Sequence, residues 1–150
     1  MSINNRVKQG ANFVPAYEVS GVPYVTSSNA NELHSIPIRV KFPYVTRFFV
    51  VHNTSDNWIR VGFTENGVTG TTGQVGGANN FLLVSGNQTT DRLEIRCKEI
   101  WFCNDKDGSP SSFSVLAGLT GIEAGQFPVL TGTLSGTRGP VSVPNFEGVG

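Results

Sequence analysis

A chain of 150 residues with eleven basic and eleven acidic side chains has the size of one domain and no net charge. It lacks both the cationic surplus and the Lys/Arg runs that phosphate-backbone binding draws on, so no direct nucleic-acid contact is expected. No apolar run approaches the roughly 20 residues of a membrane span, and the polar start Met1-Ser2-Ile3-Asn4-Asn5-Arg6 is unlike a secretory leader. The expectation is a protein made in a cytosol and used or assembled there, without membrane insertion.

Residues 1–13 read as an N-terminal arm carrying Ile3, Val7 and Phe13. Val14 to Val19 and Val22 to Thr26 are short β-rich pieces broken by Gly21. From Ile36 onward the pattern sharpens. Ile36, Ile38, Val40 and Phe42 alternate with Pro37, Arg39 and Lys41, a period of two that puts the apolar side chains on one strand face. Val45 to Asn53 carries apolar residues at both parities, Phe48 and Val50 with Phe49 and Val51, as in a strand covered on both sides. The polar turn Thr54-Ser55-Asp56-Asn57 leads into Trp58 to Phe63, where Ile59, Val61 and Phe63 share a face. With no room for a crossover helix, these three strands predict an antiparallel meander.

Glu65 to Asn79 is rich in Gly and Thr and predicts an exposed loop. Asn80 to Val84 is an apolar run ended by Ser85-Gly86-Asn87. In Thr89 to Cys97 the alternation returns, with Leu93, Ile95 and Cys97 inward against Arg92, Glu94 and Arg96. The parity then slips to Ile100 and Phe102, which predicts a bulge or break near Lys98-Glu99. After the turn Asn104 to Gly108, Phe113, Val115, Ala117 and Leu119 form the cleanest late strand. About eight or nine strands in roughly 110 residues is the density of a sandwich or barrel, and no segment shows a helical period. Residues 123–150, rich in Gly, Pro, Ser and Thr, read as an extended tail with room for a short strand at Phe127 to Leu130. The tail's Phe127, Val129, Leu130, Val141, Val143 and Phe146 ask for a surface to sit on.

A search for chemistry mostly finds absences, and no catalytic, cofactor-binding or metal-ligating residue is assigned. Cys97 and Cys103 lie roughly 20 Å apart along a continuous strand, too far for a disulfide, and read as buried thiols. Only His34 and His52 could join them at a zinc ion, and neither stands at finger spacing. The same two histidines are too far apart in sequence for a cupin-type metal strand. No nucleophile elbow occurs, and His52 reads as a neutral, half-buried strand residue. Gly70, Gly73, Gly76 and Gly77 mimic a glycine fingerprint, but no helix follows to receive a phosphate. Asp105-Lys106-Asp107-Gly108 lacks the first and twelfth ligands of an EF-hand loop and reads as a β-turn. Asn53-Thr54-Ser55 and Asn87-Gln88-Thr89 fit the glycosylation pattern, yet read better as turns.

Trp58 shares a strand face with Arg60, opposite Ile59 and Val61, and so points outward. An outward tryptophan is a sugar-stacking platform, a protein-interface anchor, or a side chain packed under a loop, and Trp101 has the same three readings. Trp58, Arg60, Phe127 and Phe146 are the candidate interface residues.

Several of these segments taken together resemble a known family. They are Arg47-Phe48-Phe49-Val50-Val51-His52-Asn53, Ile59-Arg60-Val61-Gly62-Phe63 with Asn66-Gly67, and Asn80-Phe81-Leu82-Leu83. Leu93-Glu94-Ile95 to Trp101-Phe102 and the closing strand Phe113 to Ile122, with Ala117-Gly118-Leu119-Thr120 its most distinctive part, complete the likeness. The chain resembles the single jelly-roll penton proteins of large icosahedral DNA viruses whose major capsid protein is a double jelly roll. The likeness spans residues 14–122, while the tail has no counterpart in it. It implies an all-β single jelly-roll sandwich between two arms and no enzymatic activity. It further implies a homopentameric virion protein, assembled in the host cytoplasm, that closes the capsid vertex against major and minor capsid proteins. A closed ring needs two different, complementary flanks. The alternative is a carbohydrate- or receptor-binding β-sandwich such as a fibre head, which is usually trimeric. Ile36, Ile38, Val40, Phe42, Ile59, Val61, Phe63, Leu93, Ile95, Phe113, Val115, Ala117 and Leu119 are the expected core.

Overall fold

The structure, a computed structural model, describes residues 21–30, 36–69, 80–106, 108–127, 132–136 and 139–143. The pieces expected at 1–20, His34, the glycines of 70–79, residues 128–130 and Phe146 lie outside these described residues.

The chain is an all-β sandwich of antiparallel strands. In one sheet β7 (Ser111–Glu123) lies between β1 (Val22–Ala30) and β3 (Tyr44–Asn53). In the other, β2 (Ile38–Lys41), β6 (Glu99–Asn104), β4 (Ile59–Gly62) and β5 (Leu82–Val84) stand side by side in that order. Residues 88–97 run along the free edge of β3 through bridges Phe49 to Leu93 and His52 to Thr89. Their backbone bonds include Thr90 N–H to Val51 O at 2.8 Å and Leu93 N–H to Phe49 O at 2.9 Å. Counting this segment as a strand, the pairing is nested: β1 with β7, β2 with β6, β3 with 88–97, and β4 with β5.

This nesting overturns the meander. β2 and β4 belong to one sheet and β3 to the other, so both short connections cross the sandwich and make no hairpin. Alternation assigns a face to each strand and says nothing of its neighbour. Phe42 ends β2 by donating its N–H to Lys98 O at 2.9 Å, and Pro43 then carries the chain over the corner.

The inward faces meet in one core that includes Val40, Phe42, Phe49, Val51, Ile59, Val61, Ile100, Phe102, Phe113, Val115, Ala117 and Leu119. Phe102 and Phe113 stack across it, and Tyr24 meets Phe42 edge-on at 5.1 Å. Cys97 and Cys103 are both buried and free. Ile38, Phe63 and Leu93 are partly buried against this core.

Ile36 and Ile95, both expected inside, are instead exposed at 48% and 37%. Ile36 precedes β2, which begins at Ile38. Opposite Ile95 the side chain of Thr46 takes the place of ladder groups. Its hydroxyl donates to Ile95 O at 2.7 Å and accepts the Cys97 N–H at 2.9 Å, within the register irregularity of β3. The expected parity break is present, since β6 starts at Glu99. On the outer face of β3 the Arg92 guanidinium lies 3.9 Å from the centre of the Phe48 ring and Arg47 pairs with Glu94, while His52 is exposed, so this face is only partly covered.

The segment expected as a loop from Glu65 begins with a one-turn helix, α1 (Glu65–Thr69), whose Val68 is wholly buried. Thr64 starts it, its hydroxyl accepting the Gly67 N–H at 3.0 Å. β1 also runs further than expected, to Ala30. At the far end Phe127 follows a 3-10 turn (Ala124–Gln126) and packs on Val45 and Ile122, while the rest of the short strand expected there, 128–130, lies outside the described residues. Beyond it β8 (Gly132–Gly136) and β9 (Gly139–Val143) form a hairpin where an extended tail was expected.

Candidate functional site

One end of the sandwich is built around Asn53, the last residue of β3. Its side chain is fully buried, and its amide donates to Asn57 O at 2.7 Å, Val84 O at 3.0 Å and Ser85 O at 3.1 Å. Its carbonyl accepts the Ser55 N–H at 3.1 Å and the Ser55 hydroxyl at 2.8 Å. That network sets the turn that presents Trp58. Asn57 donates to Pro110 O at 2.9 Å, and Trp58 O accepts the Asp105 N–H at 3.2 Å, so the turns before β4 and after β6 are tied together.

Trp58 points outward, as its parity predicts, and is 51% exposed. It lines a cleft of about 190 Å³ with Asp56, Asn57, Asp105, Lys106 and Ser109. Arg60, on the same strand face, is held within the subunit. Its Nε donates to Asp105 Oδ1 at 2.9 Å, its Nη2 to Asp105 O at 3.3 Å, and its Nη1 to Val68 O and Thr69 O at 3.3 and 3.2 Å. The guanidinium also lies 4.4 Å from the centre of the Phe81 ring. Arg60 therefore fixes one wall of the cleft and the end of α1. Phe127 is half-buried in its own small cluster, away from Trp58 in the sequence of elements. Trp101 is half-buried on the outer face of β6, beneath the Arg39 guanidinium at 5.4 Å, with Nε1 donating to Glu99 Oε1 at 3.3 Å.

A second feature is the outer face of the β1-β7-β3 sheet. Val25, Leu116 and Val50 are direct cross-strand partners, and Val25 and Leu116 are 70% and 48% exposed. Cross-strand partners on one face touch, so this is a continuous apolar row. The next row is polar. Ser27 and Ser114 share a hydrogen bond of 2.7 Å, and His52 Nδ1 lies 2.6 Å from Thr89 Oγ1. His52 is thus exposed on this face, not half-buried as its strand position suggested. Sequence reading missed the row although the signal was present: Val25 and Leu116 stand at the outward parity of their strands.

The chemistry on offer is modest. Among the described residues no three His, Cys, Asp or Glu side chains gather as a metal-ligand set. Burial pushes the Cys97 thiol up to about 11, against the lowering effect of its Thr46 hydrogen bond, so it stays protonated at neutral pH. Among the described residues no helix is long and apolar enough to cross a membrane. No family model matches the chain, and no curated protein or solved structure matches it either.

Proposed function

We propose that this protein is a structural subunit of an icosahedral shell: the homopentameric penton protein of a virion, set at the fivefold vertices among the major capsid protein capsomers. The observation that carries the reading is the nested strand pairing. A long hairpin rolled so that β1 meets β7, β2 meets β6, β3 meets 88–97 and β4 meets β5 is how a jelly roll is wound. That order supports the likeness to single jelly-roll penton proteins drawn from the sequence. Capsid subunits, lectins and cupins share such a roll. The cupin use is disfavoured because the chain's only histidines, His34 and His52, lack the strand spacing, and His52 points to solvent.

The two flanks of the sandwich differ, as a ring interface between unlike surfaces needs. One carries the apolar row Val25-Leu116-Val50, and the other carries Arg39, Glu99 and Trp101. Catalysis forms no part of this role. Symmetry-resolved imaging of purified particles tests it. Density for the chain at fivefold vertices alone is the expected result, and a trimeric spike or a position off the shell overturns it.

A further inference from the structure

The cleft beside Trp58 belongs to neither of the two flanks named for the vertex, and its chemistry is specific. Trp58 leaves half its surface in water while its neighbours Ile59 and Val61 are buried. Among the described residues every other side chain lining the cleft is polar: two carboxylates, an amide, an ammonium and a hydroxyl. We propose that this cleft binds carbohydrate, taking the uncharged terminal hexopyranose of a glycan against the Trp58 indole.

A pyranose matches both parts of the site. One face of the ring presents C–H groups that pack on an aromatic plane, and its rim carries hydroxyls that each donate and accept. Asp56 and Asp105 supply acceptors, and Lys106 and Ser109 supply donors. A volume of about 190 Å³ admits one ring; pockets for drug-sized ligands run to roughly 300–1,000 Å³. Arg60 neutralises Asp105, which leaves Asp56 balanced by Lys106, so no surplus of positive charge draws an acidic sugar to the cleft. A protein anchor fits less well, because docking an apolar surface there strips water from Asp56 and Lys106 without replacing their hydrogen bonds.

The wall is also preformed. Asp105 is fixed by Arg60, Asp56 Oδ1 accepts from Asn87 Nδ2 at 2.5 Å, and Asn57 is tied to Pro110. Each carboxylate keeps lone pairs for a sugar hydroxyl. Side chains held in place before binding lose little freedom when a ligand arrives.

The site belongs to a single subunit, so its test is independent of where the protein sits. The full chain, labelled with nitrogen-15, has two indole N–H resonances, from Trp58 and Trp101, and Trp101→Phe assigns them. Methyl glycosides of glucose, galactose, mannose and N-acetylglucosamine are titrated in turn, with N-acetylneuraminic acid as the charged comparison. The expected result is a saturable shift of the Trp58 resonance with at least one neutral glycoside, Trp101 unmoved, and a dissociation constant on the order of 1 mM. Trp58→Ala weakens that binding at least about tenfold and Trp58→Tyr retains part of it. Lys106→Ala, on an exposed side chain, weakens it without touching the core. No saturable shift with any neutral glycoside, undiminished binding by Trp58→Ala, or stronger binding of the acidic sugar overturns the proposal.

Discussion

Phe102 of β6 and Phe113 of β7 stack across the sandwich with ring centroids 3.8 Å apart and planes 11° from parallel. Each is wholly buried, and each belongs to the central strand region of its own sheet. Replacing either ring by alanine opens a cavity that rigid strands cannot close, so Phe113→Ala and Phe102→Ala each destabilise by about 3–5 kcal/mol. Urea titration followed by circular dichroism measures this. The double variant loses less than the sum of the two, because the rings share one contact.

Asn53 gives a second prediction. Asn53→Ala removes the donors to three backbone carbonyls and the acceptor for Ser55, inside a buried turn. The expected loss is about 2–4 kcal/mol, above the usual single hydrogen bond, because several groups lose their partner together. Asn53→Asp does no better at neutral pH, since a carboxylate then faces those same carbonyls. The midpoint of thermal unfolding reports both variants.

Gly86 tests backbone contact. A Cβ there would stand 2.2 Å from Asp56 O, where the 85–87 turn crosses the 54–57 turn. Neither partner is a flexible side-chain tip, so Gly86→Ala separates the two turns and costs about 1–3 kcal/mol. Amide exchange should speed up at Asn87, whose N–H donates to Ser55 O at 2.8 Å.

Cys97 predicts a pH dependence. The folded chain keeps the thiol proton to about pH 11, whereas the unfolded chain releases it near the ordinary value of 9.0. Its contribution is therefore fully present below pH 9 and lost as pH rises through 11. Relative to Cys97→Ala, the native protein should lose about 2–3 kcal/mol across that window, measured by denaturant titration at both ends.

The apolar row predicts separable effects on folding and assembly. Val25 and Leu116 are exposed, so Leu116→Asp should change subunit stability by only about 0.5 kcal/mol. The same substitution buries a carboxylate if the row is a ring contact, and recovery of the protein in assembled particles should fall sharply. Unchanged incorporation would place the contact elsewhere on the subunit.

The alternation of residues determined which side chains face inward wherever a strand is regular. Val40 and Phe42, Ile59 and Val61, Ile100 and Phe102, and the series Phe113 to Leu119 all sit in the core as their parity requires. The outward aim of Trp58 followed from the same period of two. That period is a local property of backbone geometry, so it survives in the sequence. Strand partners are not local. β3 pairs with β7 and β2 with β6, so only the closed sandwich decided that neighbours in sequence lie in opposite sheets. The exposure of Ile95 depended on Thr46, 49 residues away, whose hydroxyl bonds the Ile95 carbonyl within the β3 irregularity. The wall of the Trp58 cleft likewise arose from Arg60 meeting Asp105, 45 residues on. A charge pair of that span leaves no periodic trace, because its partners are brought together by packing and not by the spacing of the chain.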